Sequence, residues 1–250
     1  MAEVSDPYLD PETGLLRNLV NARSKAELDA IEGALVFARA LQSIHRPVLA
    51  TGDLDEFRAI HHHLFQDIYA WAGQLRTVDL RKNVEGADFF LPVSMIDRAA
   101  QYATEELRQD RMLAGLGRVQ FIEKLSYHYD QWNYIHPFRE GNGRTQRLFW
   151  NRVAADAGWQ LDWRSVHGDV NDAACRVASE QRDFGSLQSM FDQAVSPASD
   201  ASAAMQAARL TLRSDREPST EQPSKPPHPG LSSSGYEPGQ IDDPGIGLGR

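Results

Sequence analysis

Within twelve residues, His136-Pro137-Phe138-Arg139-Glu140-Gly141-Asn142-Gly143-Arg144-Thr145-Gln146-Arg147, the chain places an imidazole, a carboxylate, a glycine-bounded bend and two closing arginines. An imidazole with an ordinary pKa of about 6.5 can accept a proton from an incoming hydroxyl near neutral pH, which makes His136 a candidate general base. Glu140 offers a hard oxygen ligand for Mg²⁺, an ion usually held by one or two carboxylates together with phosphate oxygens. Gly141 and Gly143 allow close backbone approach and positive φ. Arg144 and Arg147 can share one helix face, and their guanidinium forks suit phosphate oxygens better than the point charge of lysine. Each fragment alone has a plain structural explanation: a Gly-Asn-Gly turn, a solvated arginine pair, a histidine before proline. Together, base, metal ligand, anion cradle and charge clamp are the equipment of phosphoryl or nucleotidyl transfer.

The flanking sequence supplies elements to hold that equipment. Phe121, Ile122, Leu125, Tyr129, Trp132 and Ile135 recur close to helical spacing, so residues 119–134 read as a helix with a buried face. Pro137 ends it and pushes His136 out of the α region, aiming its ring into a loop. A second helix starts just after Gly143 and continues through Leu148, Trp150, Val153 and Ala154 to Gly158, a left-handed cap. The loop therefore feeds a helix N-terminus, whose unpaired N–H groups and dipole favour an anion. Upstream, Thr77-Val78-Asp79-Leu80-Arg81 alternates, turn residues fill 83–88, and Phe89-Phe90-Leu91 forms a second arm before Pro92. A lone hairpin is marginal in water, so this one belongs against the helical core.

Composition narrows the class. A chain of 250 residues with 41% hydrophobic content can bury one substantial core, and a net charge of −9 argues against general nucleic-acid affinity. The single Cys175 forms no internal disulfide, and no apolar run resembles a signal peptide or a membrane span, so the cytoplasm is the expected location. From about Ser196 the sequence turns to Ser, Pro, Gly and charge, which predicts a flexible tail over 196–250 with at most a marginal helix at 201–213. Three features are read as structural. His61-His62-His63 project about 100° apart on an amphipathic helix rather than converging on a metal. Trp159 and Asp162-Trp163-Arg164 read as core and capping residues, and Tyr127, His128 and Tyr129 as aromatic packing.

The twelve residues fill every fixed position of His-Pro-Phe-x-(Asp/Glu)-Gly-Asn-Gly-Arg-x-x-Arg, so the chain resembles the Fic family. The likeness extends to Leu64–Arg76, similar to the segment that leads into that family's target-docking hairpin, and to Asp10–Leu19, Glu27–Glu32 and Arg39, similar to the lead-in of members inhibited by a separate antitoxin. The resemblance implies a mainly α fold: a Fic-type helical bundle over 1–195 with a β-hairpin flap beside the active site, then the tail. It implies a protein adenylyltransferase that moves AMP from ATP to a Ser, Thr or Tyr hydroxyl. His136 and Arg144 would be catalytic, and Gly141, Asn142, Gly143, Arg144 and Arg147 would bind nucleotide. Glu140 would hold Mg²⁺, Phe138 would anchor the loop, and Thr77, Val78, Asp79 and Leu80 would dock the target protein.

The family's restraining pattern is Ser/Thr-x-x-x-Glu-(Gly/Asn), whose glutamate meets the second motif arginine. Here glutamate precedes glycine at Glu32, Glu85 and Glu140, and the residues four earlier are Leu28, Arg81 and His136. The resemblance therefore implies an antitoxin supplied in trans onto Arg147, with a degenerate brake at Glu32-Gly33 as the other option. It also implies a growth-arresting toxin with type II topoisomerases as targets, and leaves open delivery into another cell. A phosphotransferase branch replaces the second loop glycine with a basic residue, and Gly143 is intact here. Use of another nucleotide such as UTP or CDP-choline, and a non-catalytic binding module, stay open as alternatives.

Overall fold

The computed structural model describes residues 6–82, 89–198 and 221–223. Seven helices carry the described fold: α1 Lys25–His45, α2 Leu54–Phe65, α3 Ile96–Gln109, α4 Arg118–Ile135, α5 Asn142–Asp156, α6 Gly168–Gln181 and α7 Gly185–Ala194. Among them lie β1 Leu80–Lys82, β2 Trp159–Leu161, β3 Val195–Pro197 and β4 Glu221–Pro223.

Helix α4 is the axis of the bundle. Phe121, Ile122, Leu125, Tyr129, Trp132 and Ile135 are buried along it, and the helix contacts α3, α5, α6 and α7. A helix apolar on most sides must be surrounded, and the remaining elements do so. Phe57 of α2 stacks on Trp132 with centroids 3.9 Å apart, and also touches Phe149 of α5 at 4.3 Å. Helix α1 packs on α2, which packs on α5. Its start is set by Ser24, whose side chain accepts the Glu27 N–H, and its buried stripe is Leu28, Glu32, Val36 and Ala40. A carboxylate at a core position is the anomaly of that stripe.

Antiparallel pairing of β2 with β3 ties the end of α5 to the end of α7, with Gln160 opposite Ser196. The folded body thus runs through Pro197, slightly past the expected boundary at 195, because β3 supplies the partner that β2 needs. Strand β1 pairs antiparallel with β4, Leu80 opposite Pro223 and Lys82 opposite Glu221. The expected flap turn at 83–88, the helix at 201–213 and the remainder of the tail lie outside the described residues. No described helix is long and apolar enough to cross a membrane.

Candidate active site

The α4–α5 corner is built as the proline and glycines dictate. Helix α4 ends at Ile135, and His136 caps it in the left-handed region at φ 45°, its N–H still bonded to the Trp132 carbonyl. Non-glycine residues adopt this conformation only where the surroundings enforce it. The enforcement is visible: Phe90 stacks on the imidazole at 3.7 Å, and Nε of the buried Arg76 donates to the His136 carbonyl at 2.8 Å. Ring atom Nδ1 lies 3.2 Å from the Asn133 carbonyl. A carbonyl only accepts, so Nδ1 carries the proton and the basic lone pair sits on Nε2.

Phe138 is fully buried and stacks on His61 at 4.0 Å, the anchor that was expected. Gly141 then turns at φ 80° to cap α5, which begins at Asn142, two residues before the expected start. The Asn142 amide is turned onto the loop backbone. Its Oδ1 accepts the Phe138 N–H at 2.9 Å and its Nδ2 donates to the Phe138 carbonyl at 2.8 Å, so the side chain staples the loop. The N–H groups of Asn142, Gly143 and Arg144 stand in the first turn of α5, where a helix has no carbonyl to offer them.

Arg144 lies between two carboxylates. Nη1 is 2.5 Å from Glu32 Oε1, Nη2 is 3.2 Å from Glu140 Oε1, and the guanidinium rests over the Phe65 ring at 4.7 Å. Burial alone would lower its pKa, but the Glu32 and Glu140 charges raise it above the ordinary arginine value, so it remains cationic. Tyr69 donates its hydroxyl to Glu32. Burial, and then the Glu32 charge, push that phenol far above its usual pKa and keep it a donor. Glu140 also accepts the Gly141 N–H at 2.9 Å.

Arg147 is buried against the Trp163 ring at 5.5 Å, and among the described residues no ion pair to a carboxylate involves it. The Glu32-Gly33 pair, one of the options for a brake, therefore reaches the first closing arginine and not the second. Arg139, variable in the motif, pairs with the buried Asp6 at 3.0 Å and ties the loop to the amino-terminal segment.

The flap residues meet the corner at their base. Thr77 bonds through its N–H to the Tyr8 hydroxyl at 3.0 Å, the Val78 carbonyl accepts from Arg76, and the Asp79 carboxylate accepts the Val93 N–H at 2.8 Å. Leu80, fully buried, is the one of the four that lies in β1, and its carbonyl accepts the Phe90 N–H at 2.9 Å. Beside His136 opens a cleft of about 990 Å³, walled by Phe90, Leu91, Tyr127, Tyr134, Asp130 and Arg176. Burial raises the Asp130 pKa there, opposed by a hydrogen bond from Ser179.

Three residues of this arrangement escaped the sequence reading as site residues, His61, Tyr69 and Arg76, and Glu32 entered it only as a degenerate brake. Arg76 donates to the carbonyls of His136, Val78 and Leu91, which joins both flap arms to the catalytic corner. His61 accepts the Gly73 N–H on Nδ1 at 2.7 Å, so its Nε2 is protonated and donates to the Glu140 carbonyl at 2.9 Å. The His triplet packs within the fold, with His61, His62 and His63 each within hydrogen-bond distance of a backbone carbonyl. A single carboxylate beside a phosphate cradle still suits Mg²⁺, which takes most of its ligands from phosphate and water.

A base on a helix cap, facing a glycine-bounded helix N-terminus with paired arginines, defines a nucleotide-transfer corner. Residues 51–154 match the model of the Fic/DOC family. "Probable protein adenylyltransferase Fic" of Escherichia coli is 34% identical over 79% of this chain and 96% of its own length, so the chain belongs to the Fic/DOC family. "Protein adenylyltransferase VbhT" of Bartonella schoenbuchensis is 37% identical over 65% of this chain, and the match spans 33% of that longer relative. The fold is that of the Bartonella tribocorum BepC protein, solved with bound AMPPNP, at a TM-score of 0.74 and 22% identity, covering 79% of this chain and all of that one.

Proposed function

We propose that this Fic-family enzyme transfers AMP from ATP to a Ser, Thr or Tyr hydroxyl of a protein. The observation that carries the reading is the contact of His136 Nδ1 with the Asn133 carbonyl, which assigns the proton to Nδ1 and makes Nε2 the basic atom. His136 takes the hydroxyl proton at Nε2 as that oxygen bonds to the α-phosphorus. The bond from the α-phosphorus to the bridging oxygen breaks, and pyrophosphate leaves. First-turn N–H groups of α5, with Arg144 and Arg147, offset the charge that accumulates on the phosphates. Glu140 would hold Mg²⁺, which supplies Lewis-acid neutralisation of the phosphate oxygens when bound.

Phe90 and the cleft beyond it are suited to a planar base, and Gly143 leaves the cradle open for transfer of AMP rather than of the γ-phosphate. A target segment would add as a strand at β1, whose edge here carries the extended residues Glu221–Pro223. The lead-in at Asp10–Leu19, which resembles that of antitoxin-inhibited members, and the missing Ser/Thr four residues before each Glu-Gly pair support a toxin restrained by a small antitoxin through Arg147, with type II topoisomerases as the proposed target class.

The test is incubation with α-³²P-ATP, Mg²⁺ and bacterial lysate. A protein band should become labelled, and His136→Ala should abolish the label. Equal labelling by the variant overturns the role of His136, and label arriving from γ-³²P-ATP instead selects phosphotransfer.

A further inference from the structure

We propose that His128 is a positioning residue for the nucleotide cleft: with a proton on each ring nitrogen it orients the Gln131 carboxamide and, through Glu106, the tyrosine wall against which a base would lie. The proposal rests on the nucleotide-transfer reading above and adds a fully buried group that stands behind the cleft wall.

Both nitrogens of His128 face oxygens. Nε2 lies 2.8 Å from Asp110 Oδ2, and Nδ1 lies 3.1 Å from Gln131 Oε1. A carboxylate oxygen facing the ring accepts, so Nε2 carries a proton. The orientation of Gln131 is set independently of the histidine. Its Nε2 donates to Glu106 Oε2, a second carboxylate, and to the Tyr127 hydroxyl at 3.2 Å, which itself donates to Glu106 at 2.8 Å. The amide oxygen is therefore the atom that meets His128, and since it too only accepts, Nδ1 is protonated as well. Charges balance around this imidazolium: Glu106 and Asp110 face it from α3 and the end of that helix, and Lys124 on α4 pairs with Asp110 at 2.9 Å. Burial raises the pKa of both carboxylates, and their hydrogen bonds outweigh it and hold both below the usual range.

Tyr102, Tyr127 and Gln131 line the cleft, and all three donate to Glu106, Tyr102 at 2.7 Å. The donor chain runs one way, from His128 to Gln131 to Glu106. Without the Nδ1 proton a lone pair would face the Gln131 oxygen. Turning the amide to answer it would set that oxygen against the Glu106 carboxylate, so in either case the wall loses a bond that orders it.

Calorimetric binding of AMPPNP and of tripolyphosphate, which lacks the base, tests the wall. His128→Gln should weaken AMPPNP about tenfold, the effect of losing one charge-assisted hydrogen bond, while tripolyphosphate binds both proteins alike. Glu106→Gln should weaken AMPPNP in the same selective way, and it serves as the test if His128→Gln does not melt cooperatively. Unchanged AMPPNP affinity in a folded variant overturns the proposal, as does an equal loss for tripolyphosphate, which would mark general damage. Long-range ¹H–¹⁵N spectra of histidine-labelled wild type, with His128 assigned by comparison with the variant, should show both ring nitrogens protonated at neutral pH. A neutral His128 ring overturns the proposal. Wild-type protein that binds no AMPPNP while His128 carries both protons overturns the nucleotide reading and leaves the hydrogen-bonded chain standing.

Discussion

Alanine at Gly141 tests whether the corner is as tightly determined as its geometry implies. Gly141 has φ +80°, and a Cβ built there would lie 2.4 Å from Phe65 Cζ and 2.5 Å from Cε2. Two costs add. A side chain in the left-handed region costs about 1–2 kcal/mol. Forcing a methyl against a ring that is fully buried in α2 adds about 1–3 kcal/mol, since Phe65 has no free volume into which to rotate. Gly141→Ala should therefore lose roughly 2–5 kcal/mol. For a domain of this size that corresponds to a drop in melting temperature on the order of 5–15 °C. The two costs can be separated. Phe65→Ala removes the ring at a cost of about 3–5 kcal/mol, and the double variant should then carry only the backbone part of the Gly141 penalty. Urea unfolding of all four proteins should give a coupling of about 1–3 kcal/mol, the energy of the collision. Additivity within about 0.5 kcal/mol would refute the contact, and an unchanged melting temperature for Gly141→Ala would refute the backbone argument as well.

Two other perturbations follow from the geometry. Burial lowers the His61 pKa to about 3, so the unfolded chain binds a proton on this residue between about pH 6.5 and 3 that the folded chain refuses. Its stability contribution is fully present above about pH 6.5 and is lost as pH falls toward 3, by roughly 3–5 kcal/mol in all. Urea midpoints from pH 7 to 4 should show a shallower decline in His61→Gln than in wild type, and identical slopes would exclude the assignment. For Arg147, a helical peptide carrying Ser/Thr-x-x-x-Glu-Gly should bind the wild-type protein and bind Arg147→Ala at least about tenfold more weakly, a loss of roughly 1.4 kcal/mol for a charge-assisted contact. Equal affinity for the two proteins would remove Arg147 as the contact.

Local chemistry explains what was legible in the sequence. Pro137 ends α4, Gly141 caps α5 and Gly158, at φ 85°, closes it, because each position demands a backbone that other residues resist. Phe138 could be assigned to the core from its setting alone. What the sequence concealed depends on contacts between distant segments. Arg76 reaches the carbonyl of a residue 60 positions away, and His61 that of a residue 79 positions away. No local periodicity encodes such pairs. Glu32 did leave a trace, a carboxylate in the i, i+4 stripe of Leu28, Val36 and Ala40, but the same pattern fits a solvated edge until α2 and α5 are placed beside it.

The two imidazoles of this corner are held by backbone carbonyls in opposite tautomers. His61 receives the Gly73 N–H on Nδ1 and presents Nε2–H to the Glu140 carbonyl, so both nitrogens are engaged by backbone and burial keeps the ring neutral. It can neither give nor take a proton without breaking a bond that holds the Gly73 N–H or the Glu140 carbonyl in place. His136 is oriented the other way. Its Nδ1–H is directed at the Asn133 carbonyl and its ring stacks on Phe90, with Nε2 as the basic atom. Arg76 fixes the carbonyl of that same residue, so loss of the guanidinium would release the cap and the flap arms together. Backbone carbonyls therefore set both tautomers, and the residues that hold this backbone, Arg76 among them, decide how each imidazole is held.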